Sequence, residues 1–437
     1  MASLKNILKE CLPKDEQFQI LNLQNVPMET KPLVTTVGKD TVSNQKSKTV
    51  KIPHFFALAH NEKFVFGIEI HVYLVLSDAD STGSYGRVER LLFVSKADTN
   101  GYCDIKFSAK QVTKGLIHYL LSIDPNSYLH RVIPLERKLN RADRKTMLTQ
   151  STPLKDSLEI LSRRVGTATE ERTLAIQRKK YFLSFSPTGP VTTKLCLFTR
   201  PADQYLFADS AKNPRKHTLS GAGLLRWWLS IIDEVLCEDF GADSEARLRI
   251  PGEDNMTVRR FLRGTRFEKW QPGDIFGGQG KSLAVFSIPL FSDDPKSRFL
   301  HELVEENRVL KTNLNNFWME LQERQEFKLS ETVSVIGISG NTSAVPFVQP
   351  SSMEVVRTDS KKYYKYVKNY ITGEEYNISE GAEESYRNIV QYLSLKYNTG
   401  LLRITGVMIW RTNGTKPMVT TPTVTMLQPR KKAKTMK

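Results

Sequence analysis

The chain has 437 residues, enough for two or three domains or for one large domain with insertions. Its composition is that of a globular protein, with 40% hydrophobic and 25% charged residues, no apolar run long enough for a membrane span and no secretion signal. The net charge of +16 attracts anions such as nucleic acid, phosphorylated cofactors and acidic proteins, and it repels basic proteins.

Hydrophobic patterns divide the first part of the chain into a short helix, strands and a second helix. The run FVFGIEIHVYLVL at 64–76 is rich in β-branched and aromatic residues, which predicts a buried strand. In chain order we predict a helix and extended chain at 1–37, a polar loop at 38–50, strands at 64–76 and 91–95, a tight turn at 100–101 and a helix at 112–123.

The segment 131–180 differs from its surroundings. It contains no aromatic residue and is rich in arginine and lysine, which predicts a basic surface insertion, helical or disordered, outside the core.

The second half of the chain alternates strands and helices irregularly. Ser220 is a typical helix N-cap and precedes apolar residues at helical spacing. We predict strands at 195–199, 283–290 and 331–339, helices at 220–238, 254–263, 295–310, 313–326, 361–370 and 380–398, a loop at 340–360 and a polar tail from 411. This order fits one α/β domain with a central sheet at 1–407, followed by a polar linker and basic tail at 408–437.

The segment SDDPK at 292–296 has two interpretations. An aspartate before proline is typical of a helix start, where the carboxylate caps free backbone N–H groups. Alternatively, one carboxylate accepts a proton, because a lysine must be deprotonated before its nitrogen can attack a thioester. The sequence pattern alone leaves both open.

Aromatic and basic residues occur together after two predicted strands. The segment 198–207 precedes a basic run at 212–217, a combination that suits a nucleotide-like cofactor or single-stranded nucleic acid. Lys96–Asp98 lead into the turn at 100–101, which fits a phosphate cradle or a plain hairpin. Trp227 and Trp228 are adjacent and cannot share one helix face, so one belongs to the core and the other can line a groove.

No pattern predicts a metal site. The four cysteines lack paired spacing, which indicates neither a disulfide framework nor zinc and favours a reducing compartment. A partial calcium-loop match at 78–89 lies between predicted strands, whereas that motif needs helices on both sides.

Taken together, these segments resemble one family, the fungal histone acetyltransferases named as regulators of Ty transposition. The likeness keeps the same order over almost the whole chain and is weak in the predicted loops and insertion. The matching stretches are FVSKADTNGYC (93–103), LSIDPN (121–126), KLCLFTRPADQYLF (194–207), RIPGED (249–254), WQPGDIF (270–276), SLAVFSIPLF-DDPK (282–296), FW-ELQERQEFKLS (317–330), YITGEEY (370–376) and TMLQPRKKAK (425–434).

The resemblance implies a single acetyltransferase domain with a mixed central β-sheet surrounded by helices, similar to the acetyltransferase domain of metazoan transcriptional coactivators. It implies a nuclear enzyme that moves acetyl from acetyl-CoA to lysines of newly made histone H3, paired with H4, in replication-coupled chromatin assembly and DNA repair. The implied partners are a nucleosome-assembly-protein-family chaperone and the anti-silencing chaperone, with no metal, membrane or sequence-specific nucleic acid. Acidic chaperones can bridge two basic proteins.

The resemblance also implies roles for individual residues. Asp294 matches the family's proposed proton acceptor, with Asp293 beside it, and Asp98 and Trp228 also belong to the implied catalytic site. Lys296 matches a lysine that the enzyme acetylates on itself, and Arg298 supports the carboxylates. Tyr205 and Trp228 match the tunnel for the substrate lysine. The implied cofactor contacts are Ala97, Asp98, Thr99, Lys106, Phe107, Ser108, Ala109, Lys110, Phe198, Ala202, His217, Thr218, Leu219 and Trp227.

Two other classes of protein remain open on the sequence pattern. A non-enzymatic basic chromatin or nucleic-acid-binding protein would account for the net charge, the insertion and the tail at 430–437. A scaffold that only binds chaperones is the second alternative.

Overall fold

A mixed β-sheet runs through the centre of the computed structural model, which describes residues 3–35, 47–79, 85–135, 182–277, 280–323, 331–342 and 345–409. Its strands are β1 (Gln17–Asn25), β2 (Met28–Thr30), β3 (Lys48–His60), β4 (Lys63–Ala79), β5 (Tyr85–Thr99), β6 (Val191–Thr199), β7 (Glu245–Arg249), β8 (Trp270–Pro272), β9 (Ser334–Asn341), β10 (Val356–Thr358) and β11 (Leu402–Thr405). They lie in the order β10-β1-β3-β4-β5-β6-β9-β7-β8, with β11 on β1 and β2 on β3.

Helices cover both faces of this sheet. They are α1 (Leu4–Lys9), α2 (Ala109–Ser122), α3 (Asn126–Leu129), α4 (Gly221–Asp239), α5 (Asn255–Leu262), α6 (Pro295–Glu305), α7 (Leu314–Gln322), α8 (Lys361–Thr372) and α9 (Ser379–Tyr397). Ile68 and Ile70 of β4 share a core with α2 and α4, whereas Phe55 of β3 packs with α8 and α9 on the opposite face. The predicted α/β fold with a mixed central sheet surrounded by helices is confirmed.

The sheet divides where two parallel strands part. The pairing of β5 with β6 ends at Val94 and Leu197. Beyond that point β5 stays with β4 as far as Thr99, and β6 stays with β9 as far as Thr199. Because each strand follows its antiparallel partner, a gap opens between their carboxyl ends.

The strongest sequence signals correspond to elements of this structure. The run at 64–76 lies within β4, and its buried residues explain its apolar character. Ser220 caps α4, since its side chain accepts a hydrogen bond from the Gly223 N–H. Strands β4 and β5 flank the partial calcium-loop match, as predicted, although residues 80–84 lie outside the described ranges.

The strand predicted at 283–290 is wrong. Ala284–Phe286 form a 3₁₀ turn, and the Ile288 N–H continues it by donating to the Ala284 carbonyl. Ala284 and Ile288 are buried in one cluster with Phe299 of α6. A short apolar run buried on several sides has no periodicity that separates strand from helix, and Pro289 cannot donate to a ladder.

Two predicted loops are wrong in part. The loop predicted at 38–50 ends too late, because β3 begins at Lys48. The loop predicted at 340–360 contains β10, a short strand parallel to β1. Most of the insertion at 131–180 and of the tail at 408–437 lies outside the described residues. None of the described helices is both long and apolar enough to cross a membrane.

Helices α2 and α4 are joined by charged side chains as well as by apolar packing. The Nδ1 atom of His118 lies 2.7 Å from Oδ1 of Asp239, and this hydrogen bond raises the pKa of His118 above its usual value. Lys114 bridges Glu234 and Glu238 nearby. Protonated His118 therefore stabilises the contact between the two helices.

We expect His118→Gln to destabilise the fold mainly under mildly acidic conditions. A raised histidine pKa adds stability that is complete below the unfolded pKa, about 6.5, and is lost as pH rises through the higher folded value. The His118 side chain is 36% exposed although Asp239 is buried, so after solvent screening the pair should contribute about 0.5 kcal/mol. Urea unfolding of both proteins at about pH 5.5 and about pH 8.5 measures this; an equal difference at both pH values would contradict the assignment.

Candidate active site

The gap between β5 and β6 opens into a cavity of about 350 Å³. The ends of β5 and β6 form its floor, the loop after β6 forms one wall, and the first turns of α4 close it. Its lining consists of Phe66, Val94, Ser95, Lys96, Ala97, Asp98, Thr99, Ala109, Leu197, Phe198, Thr199, Arg200, Pro201, Ala202, Tyr205, Lys216, His217, Thr218, Leu219, Leu224, Trp227 and Trp228.

Asp98 organises the wall of this cavity. Its Oδ2 atom accepts hydrogen bonds from the backbone N–H groups of Tyr205 at 2.8 Å and Leu206 at 3.0 Å. Its Oδ1 atom lies 2.9 Å from Nζ of Lys216, and both side chains are buried. The Asp98 carboxylate, at the end of β5, thus binds both the loop after β6 and the segment before α4.

Aromatic side chains supply much of the apolar lining of the cavity. The rings of Trp227 and Trp228 meet edge to face with centroids 4.9 Å apart. Trp228 is buried and Trp227 is half-buried, yet both line the cavity. The prediction that one tryptophan belongs to the core and the other lines a groove therefore needs correction. The buried Trp228 lines the cavity as well.

A second cavity of about 280 Å³ adjoins the first and shares with it Ser95, Lys96, Phe198, Arg200 and Tyr205. The hydroxyl of Tyr205 donates to the Arg200 carbonyl, and burial raises the pKa of this phenol. The far side of the second cavity contains the predicted carboxylates, since Asp293, Asp294, Pro295 and Arg298 line it.

Asp294 and Lys296 form a buried ion pair at the start of α6. Oδ1 of Asp294 accepts a hydrogen bond from the Lys296 backbone N–H at 3.1 Å, which caps the helix, and Pro295 occupies its first turn. The Lys296 Nζ lies 2.7 Å from Oδ2, with side-chain exposures of 3% and 0%. Among the described residues Oδ2 has no hydrogen bond, so the ion pair with Lys296 is its contact there.

Asp293 is more exposed than Asp294, and it contacts a lysine that lines both cavities. Its backbone has a left-handed φ of 60°, which turns the chain immediately before the helix cap. Its Oδ2 atom lies 3.3 Å from Nζ of Lys96, which lines both cavities. Lys296 in turn places its Nζ 5.1 Å from the ring centroid of Phe198, which also lines both.

The structure brings together most of the predicted site residues and leaves four of them apart. The predicted cavity residues from 97–99, 198–219 and 227–228 all line the first cavity, and Ala109 joins them. Lys106, Phe107, Ser108 and Lys110 are described but are not among its lining residues. Ser108 caps α2, and Lys110 pairs with Glu234 at 2.7 Å.

Three participating residues were not predicted to have these roles. Lys216 neutralises Asp98, Lys96 contacts Asp293, and Arg200 lines both cavities. All three stand in segments that the sequence marked as basic. Lys216 and Lys96 have partners far away in the chain, so no local spacing could have paired them.

The site contains carboxylates and amines rather than a ligand set for a metal. Within the ranges that the structure describes, no group of three or more His, Cys, Asp or Glu side chains is placed to hold a metal ion. The geometry offers a cavity lined partly by aromatic side chains, an adjoining second cavity and a buried carboxylate. Such a site suits transfer of a group between a bound donor and an incoming nucleophile.

The chain is similar in sequence to known proteins. The family model of the histone acetyltransferase KAT11-type domain matches residues 4–392. The histone acetyltransferase RTT109 of Candida albicans is 34% identical over 356 residues, covering 81% of this chain and 92% of that protein. Its namesake in Schizosaccharomyces pombe is 33% identical over 154 residues, covering 32% of this chain and 38% of that protein.

A solved structure supports the fold independently. The crystal structure of Rtt109 from Aspergillus fumigatus covers 93% of this chain and 100% of its own, with a TM-score of 0.62 and 20% sequence identity. At that identity the likeness concerns the arrangement of the sheet and helices.

Proposed function

Because this chain belongs to the KAT11-type histone acetyltransferase family and is a histone lysine acetyltransferase, we propose that its two adjoining cavities hold the acetyl donor and the acceptor lysine. The enzyme uses acetyl-CoA, and its substrate is a histone. The observation that carries the residue assignment is the shared wall, which sets the aromatic cavity beside the buried Asp294 carboxylate.

The first cavity fits the acyl end of acetyl-CoA. Its volume of about 350 Å³ and its aromatic lining suit an acetyl-pantetheine arm and exclude water around a reactive thioester. Backbone N–H groups near 198–202, a stretch in which Pro201 has none to offer, would polarise the carbonyl of the bound thioester. Phe198, Ala202, His217 and Trp227 would contact the arm.

The phosphates would lie outside this cavity, toward the start of α2. Ser108 caps that helix, whose first free N–H groups favour an anion. Lys106 adds a nearby positive charge as a point contact. Lys110 would act indirectly, because Glu234 already neutralises it and ties α2 to α4.

The substrate lysine would enter through the second cavity, past Tyr205 and toward Trp228. Asp294 would accept its proton, since this buried carboxylate lines the second cavity. Asp293 and Arg298 would set the charge balance around this carboxylate. Asp98 would act by positioning the wall, because its oxygens are engaged by Tyr205, Leu206 and Lys216.

Lys296 would be acetylated by the enzyme itself. In its ammonium form it pairs with Oδ2 of Asp294 at 2.7 Å and so occupies the oxygen that would receive the proton. Transfer of acetyl from acetyl-CoA to its Nζ releases a proton and free coenzyme A, and leaves an uncharged amide that tolerates burial. Acetylation would thus free Asp294 for the substrate lysine.

The resemblance to the family implies the partners, and charge supports them. A net charge of +16 repels a basic histone, so we propose that H3 arrives with H4 on acidic chaperones, of the nucleosome-assembly-protein and anti-silencing kinds. The enzyme would then act in the nucleus, in replication-coupled chromatin assembly and repair. The domain would extend over 1–407, with the tail at 408–437 outside it.

Labelled acetyl-CoA tests this proposal. Purified protein is incubated with H3–H4, with and without an acidic chaperone, and the label is located by mass spectrometry. We expect label on H3 that increases with the chaperone, and on Lys296 of the enzyme. A protein that labels neither histone nor itself would contradict the assigned site.

A further inference from the structure

Lys51 of β3 reaches the segment that carries the aspartate pair. It stands opposite Tyr73 in the β3–β4 ladder. Its Nζ atom donates to the Ser292 hydroxyl at 2.6 Å and lies 5.6 Å from the Tyr73 ring centroid. Lys51 does not line either cavity of the site. Lys51 therefore contacts the segment 291–294 from outside both cavities.

The segment 291–294 depends on such anchors because it has no regular structure of its own. Phe291 stacks on Phe93 of β5, with centroids 4.3 Å apart and planes 11° apart. Ser292 also hydrogen-bonds to Tyr73. The next residue, Asp293, is left-handed, and Asp294 caps α6. A shift of Ser292 would move both carboxylates.

The charge of Lys51 is sensitive to pH near neutrality. Burial lowers the pKa of Lys51 to about 8, and the nearby ammonium groups of Lys361 and Lys368 on α8 act in the same direction. The carboxylates of Glu69 on β4 and Asp293 oppose this and favour the charged form. The amine thus loses its charge a little above neutral pH.

We propose that Lys51 is a positioning residue for acetyl transfer, which through Ser292 holds the segment 291–294 so that Asp294 faces the incoming lysine. The inference rests on the proposed role of Asp294 as proton acceptor. The charged amine gives Ser292 a charge-assisted hydrogen bond and attracts Asp293. The neutral amine gives a weaker bond, so the alignment loosens as pH rises.

The test compares Lys51→Met, which removes the charge, with Lys51→Arg, which keeps it at every accessible pH. At about pH 7 we expect Lys51→Met to lower kcat about tenfold, with an unchanged KM for acetyl-CoA. The ratio of wild-type to Lys51→Met kcat should fall toward one above about pH 9, while Lys51→Arg matches or exceeds the wild type there. Ser292→Ala should reproduce the Lys51→Met loss.

Lys63→Met is the matched control, since Lys63 pairs with Glu383 at 3.3 Å away from the site and its loss should leave kcat unchanged. An unchanged kcat for Lys51→Met, or a loss that is equal for Met and Arg and constant with pH, overturns the proposal. Asp294→Asn is assayed in parallel. If it is inactive while Lys51→Met is fully active, only the role of Lys51 fails; if it is fully active, the proposed base and the role of Lys51 both fail.

Discussion

Replacing Asp294 with asparagine should lower kcat by about two to four orders of magnitude while changing the affinity for acetyl-CoA by less than about twofold. The amide has the same shape and its oxygen can still accept the Lys296 backbone N–H, so the cap of α6 persists. It cannot accept a proton. Steady-state kinetics on H3–H4, with calorimetric titration of acetyl-CoA, separate these two quantities.

The same substitution leaves the Lys296 amine without its counter-ion, so stability has to be measured alongside. Removing one partner of a buried ion pair costs about 3–5 kcal/mol. The pair here is 3% and 0% exposed, so that cost applies while Lys296 remains unacetylated. Adding Lys296→Gln to Asp294→Asn removes the stranded charge. We expect the double variant to recover the melting temperature but not kcat.

A matched control exists at another helix. Asp254 caps α5, and its Oδ1 atom accepts the Thr257 N–H at 2.7 Å, outside either cavity of the site. Asp254→Asn makes the same chemical change at a cap without proton transfer, and kcat should stay at the wild-type value. If Asp294→Asn, correctly folded, turned over as fast as this control, Asp294 would have no part in proton transfer.

The sequence predicts those elements of the fold whose signals lie in consecutive residues. The long buried strand β4 and the capped helix α4 were predictable, because apolar periodicity and an N-cap serine are written in consecutive residues. The segment 283–290 was not, since its form depends on packing against α6 and α7, which come later in the chain. Tertiary contacts decide the structure of short apolar runs.

The candidate site shows the same division. The segment SDDPK suggested either a helix cap or a proton acceptor, and the structure shows that Asp294 does cap α6 while lining the second cavity. The resemblance to the family supplied the link to Asp98. Neither source indicated that Lys216 neutralises Asp98 or that Lys96 contacts Asp293. Both pairs join segments that are far apart in the chain and meet only in the folded protein.

Removing the Asp98 side chain should instead weaken acetyl-CoA binding. Asp98→Ala deprives two backbone N–H groups of their acceptor and leaves Lys216 buried without a counter-ion. The loop after β6 and the segment 216–219 both depend on that carboxylate, and both line the first cavity. We expect the Kd for acetyl-CoA to rise about 10–100-fold. Without the carboxylate, part of the free energy of acetyl-CoA binding is needed to order the wall of the cavity.

Asp104 provides the control in the same region. It pairs with Arg215 at 3.2 Å, next to Lys216 in sequence, but the two side chains are 47% and 55% exposed. A surface pair contributes about 0–1 kcal/mol, so Asp104→Ala should change the Kd by less than about fivefold. If Asp98→Ala bound acetyl-CoA as tightly as this variant and lost only kcat, Asp98 would belong with Asp294 in the chemical step. Loss of binding with partial kcat at saturating acetyl-CoA would place it in the wall that holds the donor.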